Sequence, residues 1–305
     1  MMQRRKTVLW TIIGMISCTF WGISGLAAKA LFNLDSSINA IWLSQVRMIC
    51  TGMVLLAFSA IIKQRPLAIW REPKAPSILI LYAVLGIVPV QFCYFEAVQL
   101  GNASIATILQ FIGPFFILIY QALFAHQPLE RFQIISALVA FFGVVLLATR
   151  GHFNQLAISE AVLFWGLCSA LGDATSVLAP AHLIRRNLSS VVVTGWGMLI
   201  AGLFLVVIHP DFSVHPQSSM AWWLVAFGVV FGTILPFQLF SSALRYVSAS
   251  TAGFLDAFEP LAATIGSVIL FHLQLQLTDW IGSIMVIIAV LSLSFIPQKK
   301  QIKKH

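Results

Sequence analysis

Ten long apolar stretches follow one another along the chain, at 8–31, 39–62, 77–98, 102–125, 132–149, 158–179, 190–208, 220–244, 248–271 and 278–296. The bilayer interior offers a backbone no water to bond, so an apolar run of roughly 20 residues crosses it only as a helix. With 59% hydrophobic and 9% charged residues across 305 positions, and a mean hydropathy of +0.94, the sequence exceeds what a soluble core absorbs. The expectation is an all-α polytopic membrane protein of ten transmembrane helices, with nothing left over for a soluble domain.

The net charge of +8 follows the positive-inside rule rather than a basic face or stripe, which argues against nucleic acid as a partner. With the N-terminus cytoplasmic, the inner loops and tails hold Arg4, Arg5, Lys6, Lys63, Arg65, Arg71, Lys74, Arg131, Arg185, Arg186, Arg245, Lys299, Lys300, Lys303 and Lys304. The outer loops hold only Arg150, so both termini are expected in the cytoplasm of a multi-pass plasma-membrane protein. The first run exceeds the 7–15 residues of a signal-peptide core and reads as a retained span. Cys18, Cys50, Cys93 and Cys168 lie inside spans without CxxC spacing, and the histidines lack ligand spacing, so neither metal nor cofactor is expected.

The chain repeats itself. Residues 97–114 (AVQLGNASIATILQFIGP) match 243–260 (ALRYVSASTAGFLDAFEP) at a constant offset of 146, and Phe20-Trp21-Gly22 matches Phe164-Trp165-Gly166. Two units follow, 1–150 and 151–305, each of five spans; an odd number of spans makes the second enter the membrane from the opposite side. Inverted repeats suit alternating access around a central site. Pro89 and Pro236, and Pro114 and Pro260, are paired across the repeats inside spans, where proline favours kinks around a cavity.

Charges inside these spans need a reason, because an acid at the centre of a membrane helix costs about 3 kcal/mol on insertion scales. Glu259 falls near the midplane of the ninth span, and Asp256, three residues earlier, is placed on the same helical face. The pair could load a proton or attract a cationic substrate; an internally bonded structural acid is the alternative. Gln110 is the neutral counterpart of Asp256, a candidate polar contact or an interhelical bond. Lys29 and Asp173 both stand seven residues after their Trp-Gly glycine and are read as serving one mouth of the pathway each, with snorkelling to the outer interface as the alternative for Lys29; Asp173, which lies deeper, also counts among the candidate substrate or coupling-ion residues, with buried pairing as its alternative. Lys29, Arg47 and Glu96 form a candidate ionic cluster at the outer side, with a fixed Arg47–Glu96 anchor as the alternative. Trp21 and Trp165 either line the cavity or pack helices.

These residues resemble the drug/metabolite transporter superfamily, and within it the EamA type of ten-helix carrier. The resemblance rests on Trp21-Gly22 with Lys29, Arg47, the Ala-Ser-rich entry and Pro114 of the fourth span, and Glu259-Pro260 of the ninth. It implies a secondary carrier of small metabolites or drugs, amino acids and related compounds among them, often an exporter, with a cavity between the halves. Where members commonly carry a glutamate after the fourth and ninth spans, this chain holds Gln127 and Leu273, with Glu130 close by. The expected partners are a small-molecule substrate, protons and lipid, and a monomer is compatible with the pattern. A facilitative carrier or channel without ion coupling is the alternative, and an intramembrane enzyme using the buried acids a more remote one. The chain carries no GxxxxGK[ST], HExxH or GxSxG, so neither an ATP-driven pump nor an enzyme is expected.

Overall fold

The computed structural model describes residues 2–124, 126, 128–152, 156–184, 188–210, 213–243, 246–247 and 255–294, and every regular element among them is helical. The helices are α1 (Met2–Leu34), α2 (Ala40–Ile61), α3 (Ala75–Leu100), α4 (Ala103–Leu123), α5 (Arg131–Thr149), α6 (Glu160–Ile184) and α7 (Ser190–Ile208). Then come α8, in three consecutive segments Ser219–Val229, Val230–Ile234 and Leu235–Ala243, α9 (Phe258–Phe271) and α10 (Leu277–Ser294). The first eight are long and apolar enough to cross a membrane, and α9 and α10 are shorter apolar helices.

The ends of most helices fall within a few residues of the hydropathy limits. Three depart. The first helix begins at Met2 rather than 8, the sixth runs through Pro180 to Ile184 rather than stopping at 179, and the ninth begins at Phe258, after a turn at Ala257; residues 248–254 lie outside the described ones.

The surface is inside-out by soluble standards. Phe141 (61% exposed), Phe142 and Ile288 point outward, whereas Ser17, Ser24, Ser44, Ser104, Thr107 and Ser169 are buried. Small hydroxyl residues let helices approach and bond across the interface. Ser104 pairs with Thr264 at 2.7 Å across α4 and α9, and Ser136 with Ser292 at 2.7 Å across α5 and α10.

Contacts repeat between the two parts of the chain. Helix α1 packs on α8 and α9, and α6 packs correspondingly on α3 and α4, while α2 packs on α7 and α5 on α10. Gly22 explains one of these crossings, since a side chain there would strike the Glu259 carbonyl and Ala262 of α9; its counterpart Gly166 lies likewise against Leu109 of α4.

Four helices are locally irregular at matching places. Helix α3 contains π-helical segments at Tyr82–Ile87 and Pro89–Cys93, and α8 contains one at Val230–Ile234, directly before Pro236. Helix α4 breaks at Phe111–Ile112 into Ala103–Gln110 and Gly113–Leu123, and a turn at Ala257 precedes α9. Pro89, Pro114, Pro236 and Pro260 each sit within the first three residues of the segment that follows. At Pro114 and Pro260, which follow a break, the missing N–H had no intrahelical partner, so the proline marks a restart, whereas Pro89 and Pro236 sit inside continuous helices next to their π-helical segments.

Candidate functional site

The two breaks face each other through Asp173. A side chain at Gly113, the first residue after the break in α4, would overlap the Asp173 carboxylate of α6. Asp173 is in turn within Coulombic range of both Asp256 and Glu259 at the break before α9. Three carboxylates therefore gather where interrupted helices meet. They are largely enclosed by protein, and each residue keeps part of its surface accessible.

Their surroundings differ. Glu259 lies in the first turn of α9, where the positive end of the helix dipole favours a negative charge. Asp256 stands before the turn at Ala257, so the two acids do not share a continuous helical face as the sequence spacing implied. The Cys18 thiol of α1 donates to Asp256 Oδ1 at 3.6 Å. No described residue forms an ion pair with any of the three acids. Nor, among the described residues, do three or more His, Cys, Asp or Glu side chains converge closely enough to hold a metal ion.

Gln110, just before the α4 break, extends its Nε2 toward the Val90 carbonyl in the π-helical part of α3 at 3.5 Å. Gly172, beside Asp173, lies against Pro89 and Val90 of the same segment, so Gln110 and Asp173 approach one stretch of α3. Trp21 makes edge contacts with Phe237 and Phe240 of α8, and Trp165 with Phe92 of α3. Both tryptophans thus join the first helix of one part to the irregular helix of the other.

The outer ionic cluster is not formed. Lys29 Nζ donates to the Gln99 carbonyl at 3.0 Å, and the one ion pair among the described residues joins Arg150 to Asp279 at 3.0 Å. Arg47, 3% exposed, donates from Nη1 to Ser24 Oγ at 2.8 Å and from Nη2 to the Gly232 carbonyl at 3.1 Å and Thr233 Oγ1 at 2.8 Å. In the π-helical segment of α8 the Gly232 carbonyl and the Thr233 hydroxyl accept from the guanidinium in place of Glu96. Asp173 stands with Asp256 and Glu259, the candidate substrate or coupling-ion residues among which the sequence also counts it. Glu130 forms a capping box with Gln133 at the start of α5. Gln127, Arg185, Arg186, Arg245, the C-terminal lysines and residues 248–254 of the repeat motif lie outside the described residues.

Sequence reasoning missed Cys18, Gly113 and the Arg150–Asp279 pair. Gly113 carried a usable signal, since it stands 146 residues before Glu259.

The model of the EamA-like transporter family matches this chain twice, over residues 8–149 and 161–295. The chain belongs to the EamA-like transporter family. Among curated EamA relatives, the uncharacterized inner membrane transporter YicL of Salmonella typhimurium is 29% identical over 281 residues, covering 92% of this chain and 93% of its own. The threonine/homoserine exporter RhtA of Salmonella typhimurium is 24% identical over 271 residues, covering 87% of this chain and 85% of its own. A solved crystal structure at 17% identity shares the fold with a TM-score of 0.62, covering 94% of this chain and 96% of that one. The EamA family and these named relatives are transporters and not enzymes, and the chain is a multi-pass membrane transporter.

Proposed function

We propose that the protein is a secondary carrier that exports a small metabolite bearing a cationic group across the plasma membrane by alternating access, with protons as the coupling ion. The observation that carries this reading is the gathering of Asp173, Asp256 and Glu259, without a basic partner among the described residues, at the breaks of two helices. Buried carboxylates in a membrane protein are stable when they hold a proton or a cation, and exchange of one for the other is a coupling cycle. Interrupted helices are where carriers of inverted-repeat design place their sites.

In this reading residues 1–150 and 151–305 are two inverted five-helix halves, with both termini cytoplasmic. The helix pairings α1–α8 with α6–α3, and α1–α9 with α6–α4, are what such a design requires. Trp21, Trp165 and Gln110 line the route to the acids. The relative named as a threonine/homoserine exporter makes an amino acid or related amine the first substrate class to test.

The test is counterflow in proteoliposomes loaded with unlabelled threonine and homoserine, followed by a wider amine panel. A carrier gives saturable uptake of labelled substrate that is accelerated by unlabelled substrate on the other side. Flux that rises linearly with concentration and shows no acceleration contradicts the reading.

A further inference from the structure

Two glycines one turn apart on α1 seat polar groups from two other helices. A side chain at Gly22 would strike the Glu259 carbonyl of α9, and one at Gly25 would overlap the Tyr94 hydroxyl of α3. Residues three apart share a helix face and stand roughly 5–6 Å from each other, so the phenol tip and the first turn of α9 occupy neighbouring places along α1. Helix α4 gives the same depth independently. Ala103 lies by the Gly25 seat, Ser104 bonds Thr264 of α9 at 2.7 Å, and Gly113 lies beneath the Asp173 carboxylate. Between Ser104 and Gly113, α4 passes from the middle of α9 to the break before it. Thr107 falls on the way, and its hydroxyl is bonded to that of Tyr94 at 2.9 Å.

Both partners are more than nine-tenths buried, with Tyr94 6% and Thr107 1% exposed. Their two hydroxyls carry two protons and share one bond, so one O–H is left without an acceptor among the described residues. With Thr107 donating, the spare proton is that of the phenol. Buried donors are nearly always paired, and Tyr94 lies within Coulombic range of Glu259. The other titratable groups that act on Glu259 among the described residues are Asp256 of its own segment, Asp173 of α6 and Cys18 of α1. Helix α4, packed on α9 as α1 is, faces it with the Ser104 and Thr107 hydroxyls, and Arg47 of α2 acts on Tyr94 in turn. Ionised, the two aspartates repel a carboxylate at 259, and the Cys18 thiol already donates to Asp256. That leaves the phenol, steadied by Thr107, as the donor for an ionised Glu259.

We propose that the Tyr94 hydroxyl, oriented by Thr107, donates to the Glu259 carboxylate once that group has released its proton, and so sets the pH at which the carrier loads and unloads. The inference deepens the coupling reading above and rests on it. Glu259 gives its proton to water, the carboxylate gains the phenol O–H as a charge-assisted bond, and Tyr94 keeps its own proton throughout. Tyr94 is thus a positioning residue, and Gly25 leaves the room its hydroxyl needs.

The experiment follows the carboxyl C=O stretch of protonated Glu259, taken as the infrared band absent from Glu259→Gln, in full-length protein in liposomes as the pH is raised. A hydrogen bond to the ionised form eases proton release. Tyr94→Phe, which removes the hydroxyl and keeps the ring, is therefore expected to move the titration midpoint upward by about one pH unit. Thr107→Val keeps the phenol but not the group that orients it, and is expected to move the midpoint the same way by less. Ser104→Ala, which breaks the other hydroxyl pair between α4 and α9, is expected to leave it in place. A midpoint unchanged in Tyr94→Phe, or moved equally by Ser104→Ala, overturns the inference. Flux driven by a pH gradient in Glu259→Gln tests the underlying reading separately. Lost acceleration there, with an unmoved midpoint in Tyr94→Phe, keeps proton coupling and removes Tyr94 from it, whereas full acceleration contradicts the coupling itself.

Discussion

The Asp173 carboxylate lies over Gly113, the residue that occupies in the first part of the chain the position Glu259 occupies in the second. One repeat supplies the acid, and the other supplies the space into which a third acid folds. The asymmetry is systematic: Asp256 and Glu259 answer to Gln110 and Gly113, and Asp173 answers to Lys29. All three central acids therefore come from one half of the sequence, and the other half receives them.

Gly113→Ala should displace the Asp173 carboxylate, since the added methyl would occupy its place. Overpacking of this kind destabilises by about 1–3 kcal/mol. Asp173→Ser, with a shorter side chain, should relieve most of that loss in the double variant without restoring transport. Melting temperatures of the two single variants and the double variant, read as a cycle, check the coupling; simple additivity would separate the two residues.

Arg150 and Asp279 join α5 to α10 away from the central cluster. Asp279 is 2% exposed and also accepts from the Gln276 backbone N–H at 2.9 Å, so Arg150→Gln leaves a buried carboxylate with one of its partners gone. Because the Arg150 side chain is 29% exposed, solvent screens part of the pair, and the expected loss is about 1–2 kcal/mol. Substrate affinity should not change. Chemical denaturation and equilibrium binding on the same preparation measure the two effects independently.

Asp35, in the loop after α1, accepts from the Ser37 hydroxyl at 2.6 Å and the Gln217 backbone N–H at 2.8 Å, tying this loop to the segment before α8. The Ser37 hydroxyl first, and then the Gln217 N–H, hold its carboxyl below the ordinary carboxylate range. The sign follows from linkage: a depressed carboxyl stabilises the fold above its unfolded value, and that stabilisation is lost as pH falls through the folded one. Between pH 6 and pH 3 the wild type should lose stability more steeply than Asp35→Asn. Parallel melting curves would show that the loop contributes no such term.

The helices were legible in the sequence because a bilayer forces each crossing to satisfy its own backbone, which leaves long apolar runs that can be counted. The sixth helix outruns its apolar stretch because Pro180 is accommodated inside it and the helix continues to Ile184. The site was legible in composition but not in pairing. Arg47 and Glu96 carry opposite charges at similar depth, and nothing in their spacing reveals that a π-helical segment in α8 offers Arg47 neutral acceptors instead. The contact of Asp173 with Gly113 was hidden for a related reason: counting residues along α6 says nothing of the break in α4 that brings Gly113 beneath it.

Proton coupling through Glu259 is the central claim, and flux of the identified substrate driven by a pH gradient across liposomes tests it most directly. Glu259→Gln preserves the size of the side chain and its place in the first turn of α9 while removing its capacity to release a proton. The account predicts that this variant inserts and folds, still catalyses counterflow with equal pH on both sides, and loses acceleration by the gradient. Full acceleration by the pH gradient in Glu259→Gln would contradict it.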